Sequence, residues 1–277
     1  MEIDLINTGN FKLDGGAMFG VVPKSLWQRT NPADENNLCS WAMRSLIIKD
    51  GNRVILVDNG IGDKQSAQFF SHYYLHGEDS LTKGLHSAGL DENDITDMML
   101  THLHFDHCGG GIKYDGERLV PTFKNATYWS NKGHWQWATK PNPREKASFI
   151  AENIYPMQES DQLQFLPLEN QSDLPFDLIL VDGHTEKQML PRINYKGRVI
   201  VFVADLLPSV GHIPLPYVMG YDTRPLLTME EKARFLHQAA DNNYILVFQH
   251  DSVNECCTVQ HTEKGVRVDQ VFKFSEI

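Results

Sequence analysis

The chain has 277 residues, 41% apolar and 22% charged, the balance of an ordinary globular protein with a sizeable core. Its 36 acidic residues against 25 basic ones give a formal charge of −11, which repels phosphate backbones and removes nucleic acid from the expected partners. No stretch approaches the roughly 18 consecutive apolar residues of a membrane span; the best candidate, Val199 to Leu207, is short and contains Asp205.

Glu2 and Asp4 stand where a secretion signal requires lysines and then an apolar run. Cys39, Cys108, Cys256 and Cys257 form no Cys-x-x-Cys pair, so reduced thiols and a cytoplasmic location are expected. With no internal repeat or Gly/Ser linker, residues 1–277 read as a single domain.

Taken in chain order, the first punctuated stretch is Asp14-Gly15-Gly16-Ala17-Met18-Phe19-Gly20. It lacks the lysine and following helix of a phosphate-binding loop, and Met18 and Phe19 are expected to wall an apolar substrate pocket, with Trp27, Phe105 and Tyr221 as further wall candidates. Ser45–Lys49 and Val54–Val57 flank the turn Asp50-Gly51-Asn52 and predict a hairpin. Asp58, just past that hairpin, reads from its neighbours as a turn residue bonding its own backbone. Helices are predicted over Gln65–Leu75 and Leu81–Ala88. Asp97–Leu100, Leu178–Val181, Val199–Val203 and Tyr244–Phe248 are short apolar runs of buried-strand type. Tyr128–Leu168, with Trp129, Trp135 and Trp137, predicts a helical, aromatic insertion that is either a satellite core or a lid. Thr228–Ala240 opens with a capping-box pattern, Thr228 followed by Glu231, and carries the apolar stripe Phe235, Leu236 and Ala239. Strand–helix alternation with hairpins predicts a mixed α/β fold.

The chemistry centres on Thr101-His102-Leu103-His104-Phe105-Asp106-His107-Cys108-Gly109-Gly110. Four metal-competent side chains fall within six residues directly after an apolar strand. His102 and His104, two apart at a strand end, project to the same side, while Asp106 and His107 lie in the turn. Imidazole and carboxylate donors suit zinc, with manganese, iron or cobalt compatible. His184, Asp205 and His250 each follow a buried strand, and together the set of seven donors suffices for two ions. Cys108 reads as a packing residue. His72, His76, His86, His134, His237 and His261 are expected on exposed faces. His212, in the loop leaving Asp205, is a candidate to contact substrate or stabilise an oxyanion.

The His-x-His-x-Asp-His run, followed in order by His184, Asp205 and His250, resembles the metallo-β-lactamase-fold hydrolases over nearly the whole chain. The resemblance implies a four-layer αββα sandwich holding two Zn2+ ions. It assigns His102, His104 and His184 to the first ion, Asp106, His107 and His250 to the second, and Asp205 to both, and it makes Asp58, as the alternative to a turn residue, the acceptor that orients a ligand imidazole; Asp106 is also a candidate proton donor to the leaving group. A hydroxide shared by the ions would attack the substrate. Thr101 to Gly110 looks most like the N-acyl homoserine lactonases and methyl parathion hydrolase-like enzymes. Two departures stand out. Pro208 occupies the position of the lactonase tyrosine, and the usual Gly-His-Thr-Pro-Gly becomes Gly183-His184-Thr185-Glu186-Lys187.

The expected activity is hydrolysis of a lactone or ester of a small apolar molecule. A phosphotriesterase or thioesterase of the same fold is the nearer alternative, and a non-catalytic metal-binding protein the more distant one. The expected partner is a small-molecule substrate, with no membrane or nucleic acid, and a homodimer is left open.

Overall fold

The computed structural model describes residues 1–167 and 173–277. In chain order the elements are β1 (Glu2–Asp14), α1 (Gly15–Phe19), α2 (Lys24–Trp27), β2 (Leu38–Asp50), β3 (Arg53–Val57), α3 (Ala67–Ser71), α4 (Leu81–Ser87) and β4 (Asp97–Met99). They continue with α5 (Phe105–Cys108), β5 (Ile112–Asp115), β6 (Arg118–Pro121), β7 (Thr127–Ser130), α6 (Lys132–Thr139), α7 (Ala151–Glu159) and β8 (Leu163–Phe165). The remainder are β9 (Asp177–Val181), β10 (Gln188–Tyr195), β11 (Arg198–Phe202), α8 (Pro225–Asp241), β12 (Ile245–Val247), β13 (Cys256–Thr262) and β14 (Gly265–Phe272). The fold is mixed α/β, as the alternation predicts. Two units form, one from Met1–Asn10 with Met43–Pro175 and the other from Phe11–Ala42 with Phe176–Ile277.

The sheet of the first unit has the order β1-β2-β3-β4-β7-β8. The predicted hairpin is present, with β2 and β3 antiparallel and Asp50 opposite Arg53. The turn between them needs Gly51, whose φ of 59° is left-handed. From β3 onward the strands run parallel, with Ile55 opposite Asp97, Asp97 opposite Thr127, and Tyr128 opposite Leu163. Parallel strands end on a common edge, where α/β sheets gather functional loops. Asp58 therefore leaves β3, the histidine run leaves β4 and Asn131 leaves β7 at the same edge. Leu56, Met98 and Leu100 of the sheet side pack with Leu85 of α4, Trp135 of α6 and Met157 of α7 in one buried cluster.

The aromatic segment at 128–168 begins and ends as sheet strands, β7 and β8, with α6 and α7 between them; its last residue, Leu168, lies outside the described residues. Asn131 caps α6 by accepting from the His134 backbone N–H at 2.8 Å. Trp135 and Ala138 then face the core. The helix predicted over 65–75 is shorter, because Ser66 caps it at Phe69 N–H and Tyr74 turns left-handed at φ 46°.

In the second unit the order is β14-β13-β12-β11-β10-β9. β11 and β12 pair in parallel, whereas β10 is antiparallel to both β11 and β9. Hence β9, β11 and β12 point the same way, and their ends deliver His184, Asp205 and His250 to one edge. Helix α8 starts at Pro225, three residues before the expected cap. Thr228 is thus inside the first turn, its hydroxyl on Arg224 O at 3.4 Å. Glu231 does not complete a capping box; its carboxylate accepts from the backbone N–H of Asp182 at 2.8 Å and Gly183 at 2.9 Å. Phe235, Leu236 and Ala239 are buried as the stripe requires. Among the described residues no helix is long and apolar enough to cross a membrane, and no disulfide joins Cys39, Cys108, Cys256 and Cys257.

One close approach sets the turn behind the histidine run. A Cβ on Gly109 would lie 2.1 Å from Ile61 O, and one on Gly62, at φ 70°, would lie 2.6 Å from Gly109 O. Gly109→Ala is expected to lower unfolding stability by about 1–3 kcal/mol, since backbone must move to admit a methyl. Urea denaturation checks this, and an unchanged midpoint would show that the two turns are not rigidly packed.

Candidate metal centre

In the first unit the partners behind each ring fix which nitrogen points outward. Asp58, completely buried, accepts from Thr101 N–H at 2.8 Å and from the Thr101 hydroxyl at 2.7 Å. Its second oxygen also faces His107 Nδ1 at 3.0 Å, and a carboxylate only accepts, so that nitrogen carries the proton. His107 Nε2 is left as the donor atom, 3.6 Å from Asp106 Oδ2. Asp58 holds this position at a left-handed φ of 55°, a conformation few non-glycine residues adopt without support. The Thr101 hydroxyl spends its proton on Asp58, so it can only accept from His102 Nδ1 at 3.1 Å. His104 Nε2 lies 3.3 Å from the carboxylate of Glu145, which again requires the proton on that nitrogen.

These assignments leave the lone pairs of His102 Nε2 and His104 Nδ1 facing each other at 3.1 Å. Two acceptors at that separation repel unless a cation lies between them. Two imidazoles on a tetrahedral zinc, with bonds of about 2.0–2.1 Å, hold their nitrogens at about 3.3 Å. The residues fit a metal ion.

The second unit repeats the pattern. His184 Nδ1 donates to Asp222 at 2.9 Å, and His250 Nδ1 donates to Ala42 O at 2.8 Å. Their Nε2 atoms face different oxygens of one carboxylate, His184 to Asp205 Oδ2 at 3.1 Å and His250 to Asp205 Oδ1 at 3.0 Å. Asp205 therefore stands as a two-ended acceptor between two imidazole nitrogens, and positive charge between them, a proton or a metal ion, satisfies the arrangement. Burial disfavours a charged His184, but the charge of Asp205, its hydrogen bond and Asp222 outweigh that and push the imidazole up to about 10. The turn bearing His184 is held by Glu231 and by Lys187, which occupies a left-handed φ of 55°. That conformation is glycine's preference, so a lysine there needs support from its surroundings. Lys187 compensates by binding Asp182 through its backbone N–H and its ammonium, both at about 2.9–3.0 Å, while Glu186 pairs with Arg224 at 2.8 Å.

The remaining expected residues are placed as follows. Met18 and Phe19 are buried, 2% and 0% exposed. Phe19 stacks on His212 at 4.3 Å and on Trp27 at 5.3 Å. His212 donates from Nε2 to Met18 O at 2.9 Å and accepts at Nδ1 from Ser209 at 2.9 Å, so substrate contact would require one of these bonds to open. Burial holds its imidazole neutral, down to about 3. Lys232, also buried, donates to His212 O, Pro214 O and Tyr217 O at 2.8–3.1 Å and fixes the same loop. Phe105 meets Tyr73 at 4.7 Å and Phe69 at 5.5 Å, an aromatic cluster beside Asp106. Tyr221 is exposed and Cys108 is buried. His134 departs from expectation: it is buried, and its Nε2 accepts from Leu103 N–H at 2.8 Å. Asp222, Glu145 and Glu231 escaped the sequence reading; lone acidic residues far from the motif give no signal, and Glu231 resembled a helix cap.

The metallo-beta-lactamase superfamily model matches residues 44–250, and the chain belongs to that superfamily. No curated protein matches it. Among solved structures it is similar to a probable metal-dependent hydrolase from Staphylococcus aureus, at 27% identity and TM-score 0.87, over 98% of this chain and 96% of that one. It also resembles in fold the dizinc quorum-quenching lactonase AidC, at 21% identity and TM-score 0.80, over 98% and 95% of the two chains. An N-acyl homoserine lactone hydrolase with N-hexanoyl-L-homoserine at its catalytic metal centre matches at 16% identity and TM-score 0.68, over 90% and 92%. Family membership and the likeness to a metal-dependent hydrolase support a hydrolase whose His and Asp side chains are suited to metal.

With its pKa raised above the unfolded value of about 6.5, His184 stabilises the metal-free fold fully below that pH. This stability is lost as pH rises through about 10. Metal-free protein is therefore expected to melt at falling temperature between pH 7 and 10. Zinc loading at pH 7.5 should release protons, seen as a buffer-dependent heat in calorimetry. A melting temperature flat with pH and no proton release would contradict the assigned protonation.

Proposed function

We propose that the chain is a dinuclear, zinc-dependent hydrolase that opens a lactone or cleaves an ester of a small, apolar molecule. In this reading His102, His104 and His184 hold one ion, Asp106, His107 and His250 the other, and Asp205 both. The observation that carries it is the convergence of donor atoms: His102 Nε2 lies 3.1 Å from His104 Nδ1 with lone pairs opposed, and Asp205 stands between His184 Nε2 at 3.1 Å and His250 Nε2 at 3.0 Å. A structural zinc site closes with four ligands, and seven donors exceed that, which favours turnover over a scaffold.

Bound divalent ions supply Lewis-acid polarisation of a carbonyl and activate water at neutral pH. The protein's own residues supply the rest. Asp58, Thr101, Glu145, Asp222 and Ala42 O hold each imidazole in the tautomer that presents a lone pair. Asp106, beside His107 and 9% exposed, would in this reading also relay a proton from the attacking water to the leaving group. Phe105, Phe69 and Tyr73 offer an apolar wall next to it, suited to the hydrocarbon part of a substrate and to excluding water. Pro208 offers no hydroxyl where the lactonases place a tyrosine. This favours esters that need no phenolic contact, and it keeps a phosphotriester as the second reading.

Metal analysis with a hydrolysis screen over lactones, aryl esters, thioesters, β-lactams and phosphotriesters tests this. We expect about two ions per chain, activity lost on chelation and restored by zinc, and turnover of a lactone or aryl ester. Asp205→Ala should lower metal content below two and reduce kcat/KM by at least about a thousandfold. Full activity in that variant would overturn the two-metal reading.

A further inference from the structure

The stretch 131–149, which follows β7, packs against the turn Leu103–Phe105 that carries His104. His134 Nε2 accepts from Leu103 N–H at 2.8 Å, and Ser148 O accepts from Phe105 N–H at 3.0 Å. The Phe149 ring lies 4.8 Å from the His104 ring. Glu145 faces His104 Nε2 at 3.3 Å. The Glu145 side chain is only 3% exposed, and its other oxygen accepts from the Trp137 indole N–H at 2.6 Å and the Asn142 amide at 2.7 Å. These three donors are all uncharged when His104 is neutral. A buried carboxylate is costly unless it is well bonded, and two neighbours hold this one against the His104 imidazole.

We propose that Glu145 is a positioning residue for metal: held by Trp137 and Asn142, it fixes His104 with Nδ1 outward, and the 131–149 segment serves as the buttress of the metal-binding turn. The inference rests on the assignment of His104 as a ligand, and it adds a residue that no sequence motif indicates. Without the carboxylate, Nε2 of His104 loses its acceptor, the ring is free to flip or change tautomer, and the nitrogen facing His102 is no longer committed to a lone pair. Outer carboxylates of this kind are typically worth ten- to a hundredfold in metal affinity.

The test uses the full chain stripped of metal and titrated with zinc against a chromophoric chelator, with thermal melting of the metal-free form in parallel. Glu145→Gln keeps the shape and the bonds to neighbours but removes the charge. It is expected to weaken zinc binding about ten- to a hundredfold with the metal-free melt unchanged, and Glu145→Ala to weaken it at least as much. Glu152→Gln, on α7 of the same unit, is the control and should bind zinc as wild type does. Wild-type zinc affinity in Glu145→Gln overturns the proposal, whatever happens to stability. The measurement separates this inference from the function itself: weakened zinc binding in a protein that hydrolyses nothing in the screen sustains the buttress and removes the hydrolase, while intact zinc binding in an active enzyme does the reverse.

Discussion

Everything in the candidate centre depends on which nitrogen of each imidazole carries a hydrogen. A histidine can offer one lone pair or none, and its backing partner decides which. Here the backing differs ring by ring: a hydroxyl for His102, carboxylates for His104, His107 and His184, and a main-chain carbonyl for His250. The common result is that the second nitrogen of each ring is turned toward another ring or toward a carboxylate oxygen. Such an arrangement is unfavourable for a bare protein and favourable around cations. The fold stabilises it through groups that have no chemistry of their own, chiefly Asp58 in its left-handed turn.

The electrostatics point the same way. Each unit buries carboxylates beside imidazole rings, Asp58 and Glu145 in one, Asp205 and Asp222 in the other. His184 answers that potential by taking up a proton, whereas His212, buried without a carboxylate hydrogen-bonded to it, is driven neutral. Two imidazoles of one unit thus take opposite protonation behaviour from their surroundings alone. The first belongs with the proposed donors, and the second ties the loop after Asp205 to Met18.

Much of this was legible in the sequence because it is local. The hairpin at Asp50–Arg53, the strand before the histidine run and the donors past β9, β11 and β12 all announce themselves by short-range pattern. What could not be read is set by distance along the chain. His134 looked like a surface histidine because nothing in its neighbours reveals that its ring receives the Leu103 amide. Glu231 matched a helix cap because the pattern of Thr228 and Glu231 is real; the start of α8 at Pro225 moved it one turn inward and turned the carboxylate to another loop. Lys187 departs from the family's glycine, yet it adopts a left-handed backbone of the kind glycine favours, and its ammonium anchors it to Asp182. Tertiary contacts overrode local signals in each case.

The hold of Glu231 on the turn at Asp182–Gly183 couples a long surface helix to the placement of His184. Helix α8 and that turn therefore loosen together. Heating that merely frays this helix would misplace an imidazole while the sheets remain intact, so inactivation should set in at a lower temperature than global melting, and the gap between the two would measure how firmly one carboxylate grips two amides.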